Sequence, residues 1–172
     1  MAQDPAEREG AALLTLYDRG VGEVYGYLLA RCGQRAVAEE LTSETFMAAV
    51  DAVRRGGADL SVPWLIGVAR HKLVDHWRAQ ARQERTLRAV SDEVAHEEDQ
   101  WDVQLDAVRA RETLAGLGPH HRAALTLRYV DDLPVPDVAA LLGRTVHATE
   151  ALLVRARAAF RRAYTAGDGC DA

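Results

Sequence analysis

Between Val135 and Tyr164 the residues able to do chemistry include the cations Arg144, Arg155, Arg157, Arg161 and Arg162, with His147 and Glu150. Guanidinium groups neutralise phosphates or pair with guanine edges, while imidazole and carboxylate groups address base edges directly. Nothing in this set is arranged to make or break a bond, so the chemistry on offer is recognition. At about 100° per residue, Thr149, Leu153, Ala156 and Phe160 fall on one stripe. His147, Ala151, Val154, Arg155, Arg161 and Arg162 fall opposite, giving an amphipathic helix with a basic outer face. A shorter apolar helix built on Val135, Val138, Ala139 and Leu142 precedes it, with Pro134 and Pro136 suited to its start and Gly143 to its end. Two such helices joined by the Gly143-Arg144-Thr145 turn form the pattern of a helix-turn-helix DNA reader. A packed helical hairpin with exposed arginines has the same spacing, and on spacing alone both readings stand.

A second informative stretch runs from Val62 to Arg82. Leu65, Ile66, Val68, Ala69, Leu73 and Trp77 are expected on its inner side, and His71, Asp75, Arg78 and Arg82 form a polar stripe opposite. The stripe is either a solvated face or, with Trp64 and Trp77 nearby, a track for single-stranded DNA, where backbone neutralisation combines with base stacking. Both tryptophans fit a core better than a stacking platform. His71 with Asp75, or His120 with His121, lacks the third and fourth ligands of a zinc site. No glycine-rich phosphate loop follows a strand and no nucleophile has a recognisable setting, so neither an enzyme nor a cofactor or metal is expected.

The elements that must position these groups read as helices throughout. Apolar residues recur at three and four over Ala11–Cys32, Ala36–Arg54, Pro63–Arg88, Asp106–Leu117, His120–Tyr129, Val135–Leu142 and Val146–Tyr164, predicting an all-α chain. Arg70, Lys72, Arg78, Arg82, Arg85 and Arg88 make a basic stretch, whereas Asp92, Glu93, Glu97, Glu98, Asp99, Asp102 and Asp106 follow with no Lys or Arg among them. The net charge of −5 thus conceals strong local charge. The acidic stretch is poor in large apolar groups and reads as a flexible linker over residues 89–105, between helical domains at 1–88 and 106–172. Cys32 and Cys170 have no metal-ligand spacing, and neither a signal peptide nor an apolar run of membrane length is present. A cytoplasmic protein without direct membrane insertion is expected.

Four segments occur in order: Ala38 to Phe46, Trp64 to Arg78, Leu117 to Val130, and the helix-turn-helix. Together they resemble an extracytoplasmic-function (ECF, group IV) sigma factor of RNA polymerase, over about residues 11–164. The resemblance implies an alternative sigma factor that binds core RNA polymerase and promoter DNA, with an anti-sigma factor as its inhibitor. It implies an N-terminal domain for the −10 element and the polymerase clamp, a C-terminal domain for the −35 element and the polymerase flap, and a linker threading toward the active-site and RNA-exit channels. By position, Glu39, Glu40, Leu41 and Phe46 fall in the clamp-binding segment, though Leu41 fits the core better. Phe46, Val50 and Val53 form an apolar strip beside that of Leu41, Ala48 and Ala52, either awaiting a partner or covered within the bundle. Gly56 to Val62 would capture a flipped base, and His71, Asp75, Arg78 and Arg82 would follow the −10 strand. Arg144, His147, Glu150, Ala151 and Arg155 would face the −35 duplex, with Arg157, Arg161 and Arg162 directed at phosphate or serving solubility. Where many members have Lys or Arg this chain has Glu150, where another Arg is common it has Leu152, and where Asn is common it has His71. A carboxylate repels phosphate and accepts from cytosine, so a different −35 sequence is expected. The acidic linker is either a nucleic-acid mimic or a solvated tether. A stand-alone helix-turn-helix regulator would leave the Trp64 to Arg82 stretch without a role, and a protein-only adaptor would leave both basic stripes unexplained.

Overall fold

Good helix formers at three-and-four apolar spacing, broken by Gly33, Gly56 and Gly143 at left-handed φ, produce helices and little else. The computed structural model describes residues 5–56, 60–87 and 106–166, and no strand occurs among them. The helices are α1 (Pro5–Cys32), α2 (Arg35–Arg54), α3 (Val62–Leu87), α4 (Ala107–Gly116), α5 (Pro119–Leu125), α6 (Val135–Leu142) and α7 (Val146–Ala166). A π-helical turn, Thr126–Val130, extends α5. The chain forms two compact units, Met1–Asp75 and His76–Ala172, and α3 runs from the first into the second. The predicted acidic linker lies outside the described residues.

In the first unit, Leu16, Val24 and Leu28 of α1 are buried with Ala38, Leu41, Phe46 and Ala49 of α2. Steps of four along α1 bring Gly20 onto the same stripe, where a Cβ would stand 2.9 Å from Leu65 Cδ1 of α3. The absent side chain is what allows this close approach. Thr42 and Thr45 are also buried, and their hydroxyls donate to Ala38 O at 2.6 Å and Leu41 O at 2.7 Å. Each thus satisfies its polar group within its own helix.

The buried line of α3 differs from the expected one. Leu65, Ala69, Leu73, Val74, Trp77 and Ala81 are buried, while Ile66 and Val68 are only half-buried. A line that advances by four residues drifts by about 40° per step around a 3.6-residue helix, so it leaves the side of Val68 and reaches that of Val74. Trp77, at 1% exposure, is core, as expected.

The second unit is tied at its ends. Asp106 caps α4 by accepting from Arg109 N at 2.8 Å, and its own amide donates to Tyr164 Oη of α7 at 3.0 Å. The Arg109 guanidinium lies 4.3 Å above the Tyr164 ring centroid and also donates to Tyr164 O. Between these ends Ala123, Ala124, Leu125, Thr126 and Leu127 are buried, as are Val138, Ala139 and Leu142 of α6 and Leu152, Leu153 and Ala156 of α7.

Candidate nucleic-acid interface

Local sequence fixes the entry into α7. Gly143 takes φ 62°, ψ 40° and ends α6, and Arg144 N donates back to Ala139 O at 2.9 Å. Thr145 then opens α7: its Oγ1 accepts from Ala148 N at 3.1 Å, and its carbonyl accepts from Thr149 N at 3.0 Å and Thr149 Oγ1 at 2.9 Å. The turn is therefore held by a backbone bond at the α6 end and by the hydroxyl and carbonyl of Thr145 at the α7 end. Outward from it, His147, Glu150 and Ala151 are exposed, as is Val146 at 44%. Thr149, Leu153 and Ala156 are buried as expected, joined by Leu152.

The arginines divide. Arg144 and Arg155 are half-buried, and the Nε of Arg155 is enclosed, so Arg155 is less outward than a helical wheel places it. An arginine stem is apolar and packs while its head stays polar, which a wheel does not register. Arg157 is exposed and donates to Tyr129 Oη at 3.1 Å. Arg161, expected on the outer face, is half-buried and lines a groove with Arg157. Arg162 is exposed.

On α3, His71, Asp75 and Arg82 are exposed and Arg78 is half-buried. His71 Nδ1 lies 2.8 Å from Gly67 O, an acceptor, so Nδ1 donates there and Nε2 is left for another partner. Lys72 pairs with Glu44 of α2 at 3.2 Å. Of the segment expected to capture a base, residues 57–59 lie outside those described. Among the described residues no group of three His, Cys, Asp or Glu side chains is placed to hold a metal ion. No helix among them is long and apolar enough to cross a membrane.

Each unit also carries an apolar groove. In the first, about 380 Å³ opens between α1 and α2, lined by Tyr17, Val21, Tyr25, Phe46, Met47 and Val50 with Glu39 beside them. Phe46 is 8% exposed and meets Tyr17 edge-on at 4.9 Å, and Leu41 is 4% exposed, so these two hold the helix pair together and offer little free surface. Glu39 and Glu40 are exposed, as is Met47 at 61%. In the second unit about 470 Å³ lies among Ala110, Leu114, Leu125, Tyr129, Val130 and Phe160, rimmed by Arg111, Arg157 and Arg161. The π-helical turn builds this groove. Asp131 N reaches back to Thr126 O at 2.9 Å, and the wider turn leaves Tyr129 and Val130 exposed by 53% and 51%.

The sequence matches the family Sigma-70 region 2 over residues 16–83 and Sigma-70, region 4 over residues 107–160. It is 32% identical over 155 residues to the ECF RNA polymerase sigma factor BldN of Streptomyces coelicolor, covering 86% of this chain and 58% of that protein. It is 28% identical over 158 residues to the ECF RNA polymerase sigma factor SigM of Bacillus subtilis, covering 88% of this chain and 94% of that one. This chain belongs to the extracytoplasmic-function sigma factors.

The sigma fold recurs in the solved structure of the sigma factor RpoE in complex with the anti-sigma factor NepR from Bartonella quintana, at a TM-score of 0.53 and 19% identity. That match covers 87% of this chain and 94% of that one. Sequence reasoning missed four features of this sigma factor: the Thr145 and Asp106 caps, the burial of Val74 and Leu152, the π-helical turn and the region 4 groove. The caps had a signal in a Thr and an Asp directly before apolar-periodic runs. The groove had none, because it depends on one extra residue in a turn.

Proposed function

We propose that this chain is a group IV alternative sigma factor that binds core RNA polymerase, reads the −35 element with α7 and helps open the −10 element with α3. The observation that carries this reading is the pair of matched regions, 16–83 and 107–160, each with an exposed polar helix face and an apolar groove. The spacing of the two matches supports domains at 1–88 and 106–172 joined through residues 89–105. Arg144, His147, Glu150, Ala151, Arg155 and Arg157 form the −35 set, with His147, Glu150 and Ala151 nearest the bases and the half-buried arginines at the edges. His71, Asp75, Arg78 and Arg82 form the −10 set, and an unstacked base costs a few kcal/mol that binding to this face offsets. Glu39 and Glu40, with Met47 in place of the buried Leu41 and Phe46, present the α1–α2 groove to the polymerase clamp. The region 4 groove takes an apolar element of the polymerase flap. An anti-sigma factor covering either groove would hold the protein silent, and the site of action is the cytoplasm, where polymerase and promoter are. No catalytic group is needed.

The test is run-off transcription by core polymerase from a pool of genomic promoters, with and without the protein, alongside His71→Ala and His147→Ala. Both residues are exposed, so the variants keep the fold. Transcripts that require the protein and weaken in both variants are expected. Absence of binding to core, together with sequence-specific binding of duplex DNA by the protein alone, would replace this reading with a stand-alone regulator.

A further inference from the structure

From Thr145 to Val154 the chain contains neither Lys nor Arg, so the first turns of α7 reach the duplex without a cation. In a helix-turn-helix these N-terminal residues meet the base edges. Their polar groups can be taken in turn. Thr145 Oγ1 accepts from Ala148 N, and Thr149 is buried with its hydroxyl on Thr145 O, so both are committed to the fold. Arg144 and Arg155, on either side, are half-buried. The exposed polar groups that remain are His147 and Glu150, with Val146 and Ala151 as their apolar neighbours.

We infer that Glu150 is a specificity-determining residue of this sigma factor, whose carboxylate accepts from the N4 amino group of a cytosine in the major groove of the −35 element. This rests on α7 being the −35 reader. A carboxylate offers only acceptors. Guanine presents O6 and N7, and thymine O4, all acceptors that repel it. Adenine offers N6 but places the N7 acceptor beside it, so one carboxylate oxygen is opposed while the other is bound. Cytosine alone presents a donor with no adjacent acceptor on the same base. The small Ala151 next to Glu150 leaves room for the close approach that the bond needs. Because side chains on a helix lean toward its N-terminus, the carboxylate is directed toward the end of α7 that enters the groove. His147 is three residues away and, at about 5–6 Å between Cβ atoms, reaches the same or a neighbouring base pair.

The experiment reconstitutes holoenzyme from core polymerase and the full chain, then selects from promoters randomised across the −35 element and sequences bound and unbound pools. The wild type is expected to enrich cytosine at one position by roughly tenfold over the other bases. Glu150→Ala should flatten that position alone and leave the remaining preferences intact. Glu150→Gln, whose amide can both donate and accept, should shift it toward adenine. The same preference in Glu150→Ala, or a wild-type preference for an A·T pair in either orientation at the position that responds to Glu150, overturns the inference while leaving the sigma reading standing. Failure of the wild-type holoenzyme to select any −35 sequence overturns both.

Discussion

Thr145 shows how much the start of α7 depends on one hydroxyl. It closes the first turn of α7 by accepting from Ala148 N at 3.1 Å, in the position where helices most need an outside acceptor. Thr145→Ala should lower stability by about 1 kcal/mol, whereas Thr145→Ser should keep most of it. Urea unfolding of both variants checks this, and equal losses in the two would show that the methyl group, not the hydroxyl, is what matters. Tyr164 does the same service at the other end of the unit. Its hydroxyl accepts from Asp106 N at 3.0 Å, so Tyr164→Phe removes the partner of the amide just before α4. A loss of about 0.5–1.5 kcal/mol is expected, read in the same unfolding experiment. Both residues fix the ends of the unit that α7 belongs to.

At the scale of elements, the contact of α1 with α3 turns on Gly20. A Cβ there would stand 2.9 Å from the Cδ1 end of the fully buried Leu65, so Gly20→Ala requires that side-chain end to shift. Replacing glycine inside a helix also gains about 0.5–1 kcal/mol of backbone entropy. The two effects oppose, and Gly20→Ala should be close to neutral in thermal unfolding. Gly20→Val adds branches that the same gap cannot take and should cost about 1–3 kcal/mol; equal melting temperatures for the two variants would mean that the gap is wider than it looks. The helices and the presence of two helical domains were legible in the sequence, because three-and-four periodicity reports burial directly, but the compact units divide between Asp75 and His76 within α3 and not at residue 88. The flanks of α3 were not, since a stripe that drifts with each step exchanges Val68 for Val74. Tyr129 and Val130 were not either: the sequence of Thr126–Val130 is ordinarily helical, and the wide turn is set by how α5 meets the residues after it. In the candidate site, His71, Asp75, Arg82, His147, Glu150 and Ala151 were correctly placed outward. Leu41 is core, as the sequence favoured; Phe46 also proved to be packed, because apolar surface awaiting a partner has the same pattern as apolar surface already covered, and Arg161 lines a groove.

For the whole molecule, the question is how a chain of net charge −5 binds a polyanion. Charge acts over a Debye length of roughly 8 Å at physiological salt, so a phosphate senses the cations beside it and not the total. Arg82 on α3 and Arg157 and Arg162 on α7 are exposed, and the acidic residues 92–106 are separated from them along the chain. Affinity for promoter DNA should therefore fall with salt in proportion to the phosphates these arginines neutralise, each adding about 0.9 to the slope of log affinity against log salt. Arg162→Ala in reconstituted holoenzyme should lower that slope by about 0.9 and leave the preferred −35 sequence unchanged. Glu150→Ala should do the reverse, changing the sequence and not lowering the slope, because a carboxylate neutralises no phosphate. A titration of promoter binding across salt concentrations separates the two variants. If Arg162→Ala leaves the slope untouched, that arginine faces solvent alone, and the phosphate contacts of α7 must come from Arg157 or from the polar heads of the half-buried Arg144 and Arg155.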